Sequence, residues 1–283
     1  MANCDDKHSR FSTYFINSKA ISLTASIFLT VTSLNCNAAV QSRDITEDNI
    51  RTVTELGVAR LQNEFHSVAD RRKHSQYFCI TAHLFNKFSM PETLGRINQS
   101  WSERLFESQV VNIATTLPDN TLVAFTGSLS QLSGQDEIAG LLALALAEAK
   151  LGYTTSRFLA QDELIRALLI IDNRKEALHK RVEDGLMPAL GLDFLVDQTA
   201  PLTAQQRRKI IEEALLIMAR TGFYPKALLN VFKKLNKEEG STFAKRFPSP
   251  SSQINYTRKF LPAAMKHYKQ VEKNERVPSC ERL

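Results

Sequence analysis

The sequence predicts an α+β fold, mostly α, with one buried helix at its centre and a small antiparallel sheet beside it. Three observations predict it. Between Ile138 and Ala147 the chain uses only Ile, Leu, Ala and one Gly, and a helix that is apolar on every side is a buried one. Two β-leaning runs, Val110 to Thr116 and Thr121 to Phe125, come just before it, separated by the turn signal Pro118-Asp119-Asn120. Beyond Gly152 the pattern is helical almost to the end.

The elements follow in order. Ile45 to about Asp70 predicts a helix, because Ile50, Val53, Leu56, Leu61, Phe65 and Val68 recur at helical spacing between charged residues. Arg71-Arg72-Lys73-His74 is a basic turn or solvated helix end. The aromatic stretch from Gln76 to Phe88 predicts an extended segment, and Pro91-Glu92 opens a short helix leading towards Trp101. The two β runs come next, then the central helix. Ser133 followed by Asp136 marks its start, Asp136 and Glu137 suit the positive end of the helix dipole, and Gly152 can take the left-handed C-cap. Its apolar run falls short of the about 20 residues a bilayer span needs. Arg157 to Val182 predicts another helix, and residues 184–202, with Gly185, Pro188, Gly191 and Pro201, a breaker-rich connection. Thr203 caps a helix that runs through Arg220 and stops at Gly222, and Pro225 opens one reaching about Lys237.

Residues 1–38 predict a secretory signal peptide, leaving 39–283 as a single domain. Lys19 precedes an apolar-leaning run, Ile21 to Leu34, that ends in Asn35-Cys36-Asn37-Ala38-Ala39, with small residues suited to cleavage after Ala38 or Ala39. An uncleaved anchor and plain disorder are the alternatives. The expected location is periplasmic or otherwise extracytoplasmic. Cleavage removes Cys4 and Cys36 and leaves Cys79 and Cys280. In an oxidising compartment these two are a disulfide candidate, with two unpaired thiols as the other reading.

The chain has 283 residues, 43% hydrophobic and 23% charged, the composition of an ordinary globular protein. Net charge is +6, and from residue 200 onward 17 Lys and Arg stand against 7 Asp and Glu. Without a recognisable module the expectation is no nucleic acid. Contact of residues 200–283 with an anionic membrane surface, an acidic partner protein and a merely solvated face remain open. There is no Gly-x-Ser-x-Gly elbow, no phosphate-binding Gly-x-x-x-x-Gly-Lys and no Gly-x-Gly-x-x-Gly.

One set of landmarks carries a resemblance. Asn112, then Pro118-Asp119-Asn120, then Thr126-Gly127-Ser128-Leu129 precede the central helix. Gly222-Phe223-Tyr224-Pro225 closes a later helix, and Phe247-Pro248-Ser249 opens a late phrase. Over residues 100–265 these resemble the HtpX-like zinc metallopeptidases (peptidase family M forty-eight), which have an Asn-Ala-Phe segment, a Pro-Gly-Gly turn, a Thr-Gly-Leu strand end, a Gly-Tyr-x-Pro phrase and a His-Pro-Ser-x-x-x-Arg-Ile phrase. The resemblance implies a zincin-like metallopeptidase domain with zinc on a His-Glu-x-x-His helix.

Laid on this chain, that motif falls on Leu144, Ala145 and Glu148. The later Glu-x-x-x-Asp pair falls on Arg207 and Ile211, with Glu212 and Glu213 just off register, and the late His and Arg fall on Phe247 and Gln253. Leu and Ala offer a metal no electron pair, and Arg207 adds charge of the wrong sign. None of the six His lies four residues from another, so no displaced motif exists. The expectation is therefore no catalytic residue, no cofactor and no metal, although zinc goes with the family. The function expected is that of an exported non-catalytic pseudopeptidase with a binding or scaffold role for a protein or peptide partner in the cell envelope. The alternative is an active hydrolase with an unconventional site built from Glu148, Glu212 and His179 or His267. For Glu148 itself the plainer expectation is a helix-end carboxylate that reaches solvent or pairs with an Arg.

Overall fold

The computed structural model describes residues 47–87, 101–159, 202–237, 240–274 and 279–280, all within one compact unit, Arg43–Leu283. The segment 1–38, the helix expected from Pro91, most of the helix expected over Arg157–Val182, and nearly all of the 184–202 connection lie outside the described residues.

The chain opens with α1 (Glu47–Glu64) and α2 (Ser75–Lys87). The second corrects the sequence expectation, which was an extended segment over Gln76–Phe88. Tyr77, Ile80, Thr81 and Leu84 are its buried residues, spaced one and two helical turns apart, so the period outweighs the aromatic content.

Three strands follow: β1 (Ser102–Phe106), β2 (Ala114–Thr116) and β3 (Thr121–Phe125). The sheet order is β1-β3-β2, with β1 parallel and β2 antiparallel to β3. The sheet is thus mixed rather than antiparallel, a second correction. It arises because β1, with no strong β signal of its own, pairs along the free edge of β3. Every residue of β3 is buried, as a central strand covered on both faces requires. Leu122 and Ala124 join the main core, while Val123 and Phe125 join a smaller cluster with Leu61, Phe106, Val111 and Ile113. Alternation along one strand therefore divides the interior into two layers.

Between β2 and β3 the Pro118-Asp119-Asn120 turn is held by Asp119, whose Oδ1 accepts from the Thr121 N–H and Oδ2 from the Thr121 hydroxyl, both at 3.0 Å. Asn120 takes the left-handed conformation, φ 65°. Burial raises the Asp119 pKa, and the Thr121 bonds oppose it. Thr126 to Ser130 is then a short helix, α3, and not a strand end.

The central helix, α4 (Gln135–Lys150), is buried continuously from Glu137 to Ala149. Its N-cap is Gly134, at φ 136°, with no side-chain cap, so Ser133 lies one position outside the role expected of it. The Ser133 N–H instead donates to Glu137 Oε2 at 2.7 Å. Gly152 ends the helix at φ +72°, its N–H donating to the Ala149 carbonyl at 2.9 Å. A short helix, α5 (Tyr153–Leu159), follows.

The second half supplies the packing partners. The helix α6 (Ala204–Arg220) begins at a capping box in which the Thr203 hydroxyl accepts from the Gln206 N–H and the Gln206 side chain accepts from the Thr203 N–H. After Gly222, a 3-10 turn (Pro225–Ala227) leads into α7 (Leu228–Leu235). Then come α8 (Thr242–Arg246) and the long α9 (Pro250–Asn274). The helices α2, α6 and α7, together with the sheet, pack around α4. The mostly α, α+β architecture with a buried central helix is thus present.

The sulfurs of Cys79 and Cys280 lie 2.02 Å apart, a disulfide distance, across a sequence separation of 201. No described helix is long and apolar enough to cross a membrane.

Candidate functional site

Glu148 lies two residues from the C-terminal end of α4 and is only 2% exposed. A carboxylate taken that far from water must be paired or must give up its charge. Two guanidinia meet it. Arg246 Nε donates to Oε1 at 2.8 Å while Arg246 Nη2 donates to Oε2, a bidentate clamp. Arg157 Nη2 donates to Oε2 at 2.7 Å. Burial pushes the Glu148 pKa up, but Arg246 and Arg157 together outweigh it and hold the carboxyl below its ordinary value. The side chain is an anion shared by two cations.

Local sequence explains how Arg246 arrives there. The Ser241 hydroxyl caps α8, accepting from the Ala244 N–H at 3.2 Å. Asn112 then pins the same turn from across the fold. Its Oδ1 accepts from the Thr242 hydroxyl at 2.7 Å and from the Phe243 N–H at 3.0 Å, and its Nδ2 donates to the Leu235 carbonyl at 3.2 Å. Asn112 is itself buried, so its amide is a fixed bracket and Arg246 leaves the helix end pointing at α4.

The other expected site positions are placed as follows. Leu144 and Ala145 are buried hydrocarbon in the main core, and so is Ile211. Arg207 does not join the Glu148 cluster; its Nη1 donates to the Leu202 carbonyl at the start of α6. Phe247 packs with Phe232 and Phe243, ring centroids 5.2–5.8 Å apart. Gln253 is buried and closes the turn before it, Nε2 donating to the Pro248 carbonyl at 2.7 Å. Its Oε1 has no hydrogen-bond partner among the described residues.

Glu212 is exposed and Glu213 pairs with Lys150 at 2.6 Å. His83 shares a hydrogen bond of 2.8 Å with the Thr221 carbonyl, His267 is half-buried on α9, and His179 lies outside the described residues. Among the described residues no three His, Cys, Asp or Glu gather as a metal group.

No family model matches this chain, and no curated protein matches it with significance.

Two clefts lie away from the ion cluster, at the other end of α4. One, of about 460 Å³, is lined by Ser133, Asp136, Glu137, Tyr224 and Lys226 among others. The second, of about 590 Å³, is lined by His74, Gln76, Tyr77, Gly127 and Ile138 among others. Cys280 is bonded to both rims: its N–H donates to Gln135 Oε1 and its carbonyl accepts from Gln76 Nε2, each at 2.8 Å.

Sequence reasoning named Glu148 but neither of its partners. The signal present was a charged residue in a helix otherwise uniformly apolar, which demands a cation. Which of the 36 Lys and Arg answers it depends on tertiary contacts with α5 and α8.

Proposed function

We propose that this chain is a non-catalytic metallopeptidase-like protein, exported to the periplasm or another extracytoplasmic space, with a binding or scaffold role towards a protein or peptide partner in the cell envelope. The observation that supports this best is the state of Glu148. It is the one potential ligand left in the His-Glu-x-x-His register, and both its oxygens already accept from guanidinium groups. A divalent ion there would have to displace two fixed positive charges, and Leu144 and Ala145 beside it offer nothing in exchange. The zincin-like fold itself belongs to this proposal, resting on the order of landmarks from Asn112 to Ser249. The two clefts at the N-terminal end of α4 are where a peptide segment would find both polar and apolar lining.

The test is metal analysis of the purified chain together with a casein cleavage assay, run with and without chelator. The expected result is no stoichiometric metal and no chelator-sensitive cleavage; stoichiometric zinc with chelator-sensitive proteolysis overturns the proposal. Affinity capture from cell envelopes then seeks the partner.

A further inference from the structure

Helix α9 carries a pattern that the buried ion cluster does not explain. Its inner face, with Gln253, Thr257 and Ala264, is buried, and α6 packs against the helix. Its outer face is a row: Asn255, Arg258, Lys259, Pro262, Lys266, Lys269 and Lys273 are all exposed. At 3.6 residues per turn the five cations fall within an arc about 100° wide, along about 22 Å of axis. The acidic residue of this stretch, Glu272, lies off that arc and contacts the Tyr268 hydroxyl at 3.5 Å.

Among the described residues none of the five forms an ion pair. Lys266, Lys269 and Lys273 are spaced three and four apart, where like charges repel and destabilise a helix. Among the described residues nothing relieves this repulsion, so the row is suited to an external counter-charge.

We propose that this stripe is a docking surface for an anionic phospholipid bilayer. A row of flexible cationic side chains along one helix face, with no carboxylate paired to it among the described residues, suits a flat field of headgroup phosphates better than a shaped partner. Two aromatic rings of the same helix, Tyr256 and Phe260, are half-buried and sit beside the Arg208 guanidinium, at 6.0 and 5.4 Å. A face of each ring is already taken by that guanidinium, which disfavours base stacking there. The stripe also presents no exposed apolar anchor of the kind a protein partner would use. The inference does not depend on whether the Glu148 site is catalytic.

The experiment measures partition of the full chain onto phosphatidylcholine vesicles and onto vesicles of phosphatidylcholine mixed with phosphatidylglycerol. Because the N-terminal apolar segment can bind either kind, the quantity read is the ratio of the two partition coefficients. The comparison is with Lys259→Gln/Lys266→Gln/Lys269→Gln/Lys273→Gln, all at exposed positions, its fold checked by circular dichroism, and with the matching four-fold Lys→Arg variant. Each lysine near an anionic surface is worth about fivefold in binding. The expected result, with four lysines removed, is therefore a ratio that falls by up to about 600-fold in the Gln variant, is kept in the Arg variant, and collapses towards one in about 1 M salt, where the Debye length is about 3 Å. A ratio unchanged by the Gln substitutions overturns the proposal. So does a wild-type chain that shows no preference for anionic vesicles while being retained on an acidic polymer.

Discussion

Replacing Glu148 by Gln tests the core of the structure, because this buried carboxylate accepts hydrogen bonds from both Arg246 and Arg157. The Glu148 and Arg246 side chains are 3% and 1% exposed, and that of Arg157 is 13% exposed. Removing one partner of a buried pair and leaving the other charge uncompensated costs about 3–5 kcal/mol. Glu148→Gln takes the shared carboxylate from two guanidinia at once, so a loss within that range is expected. Arg246→Met leaves Glu148 still bound to Arg157, so its cost is smaller, about 2–3 kcal/mol for the lost charged hydrogen bonds. The asymmetry is the point: the acid must matter more than either base. The assay is urea unfolding followed by far-ultraviolet circular dichroism at neutral pH. The pH dependence carries a sign of its own. A carboxyl held below its ordinary value in the folded state contributes stability above the unfolded pKa, about 4.3, and loses it as pH falls through the folded value. The gap between parent and Glu148→Gln is therefore complete at neutral pH and narrows under acid conditions below about pH 4. A Glu148→Gln protein within about 0.5 kcal/mol of the parent, or less affected than Arg246→Met, would refute the shared-anion account.

Three further outcomes are expected. Replacing Cys79 and Cys280 by Ser releases a loop spanning 201 positions, with an upper bound of about 5 kcal/mol on the loss by loop entropy. Peptide mapping of the unreduced parent should find the 79–280 linked pair, and its absence would remove the bridge. Gly127→Ala places a Cβ 2.7–2.9 Å from the backbone carbonyls of Ser108, Gln109 and Val111, so a loss of about 2 kcal/mol or more in urea unfolding is expected, and a neutral result would show that loop to be compliant. At the Asp119–Asn120 turn, Asn120→Ala should cost about 1–2 kcal/mol for a left-handed residue without a polar side chain, while Asn120→Gly holds stability. Equal effects of the two would mean that φ is not what selects Asn there.

What could be read in advance were the elements whose signals are local. Helix α4 is uniformly apolar and ends at a glycine, and α6 opens on a capping threonine, so each announces itself within its own residues. The Pro118-Asp119-Asn120 turn does the same, down to an Asn where the backbone needs positive φ. Helix α2 was legible too, but in its period rather than its content: Tyr77, Phe78 and Phe85 suggest a strand, while Tyr77, Ile80, Thr81 and Leu84 trace a helical face. Strand β1 was not legible. Only Leu105 and Phe106 of its five residues are buried, and its conformation comes from pairing with β3, a partner fifteen or more residues away. The same holds at the candidate site. The position of Glu148 follows from counting along a helix, whereas Arg157 and Arg246 reach it through α5 and α8, whose placement no local pattern encodes.

The chemistry of that cluster bears on why a charge remains at all. Hydrocarbon is the simpler occupant of a buried position, because a buried ion pair exchanged for well-packed apolar residues is commonly neutral or stabilising. Leu144, Ala145, Ile211 and Phe247 are such buried hydrocarbon. Glu148 is instead a buried anion, and its partners show what it holds. Arg246 ends α8 immediately before Phe247, and Arg157 belongs to the short helix that leaves the C-terminus of α4. One carboxylate thereby ties together three segments separated by 9 and 98 positions in the chain. Hydrocarbon in its place would bury comparable area but would accept α8 in several rotations, since apolar contacts carry no direction. The bidentate guanidinium accepts one. The carboxylate thus does for the late helices what a metal ion does in a zinc site: it fixes the angle at which separate pieces of chain converge, with the cation supplied by the polypeptide.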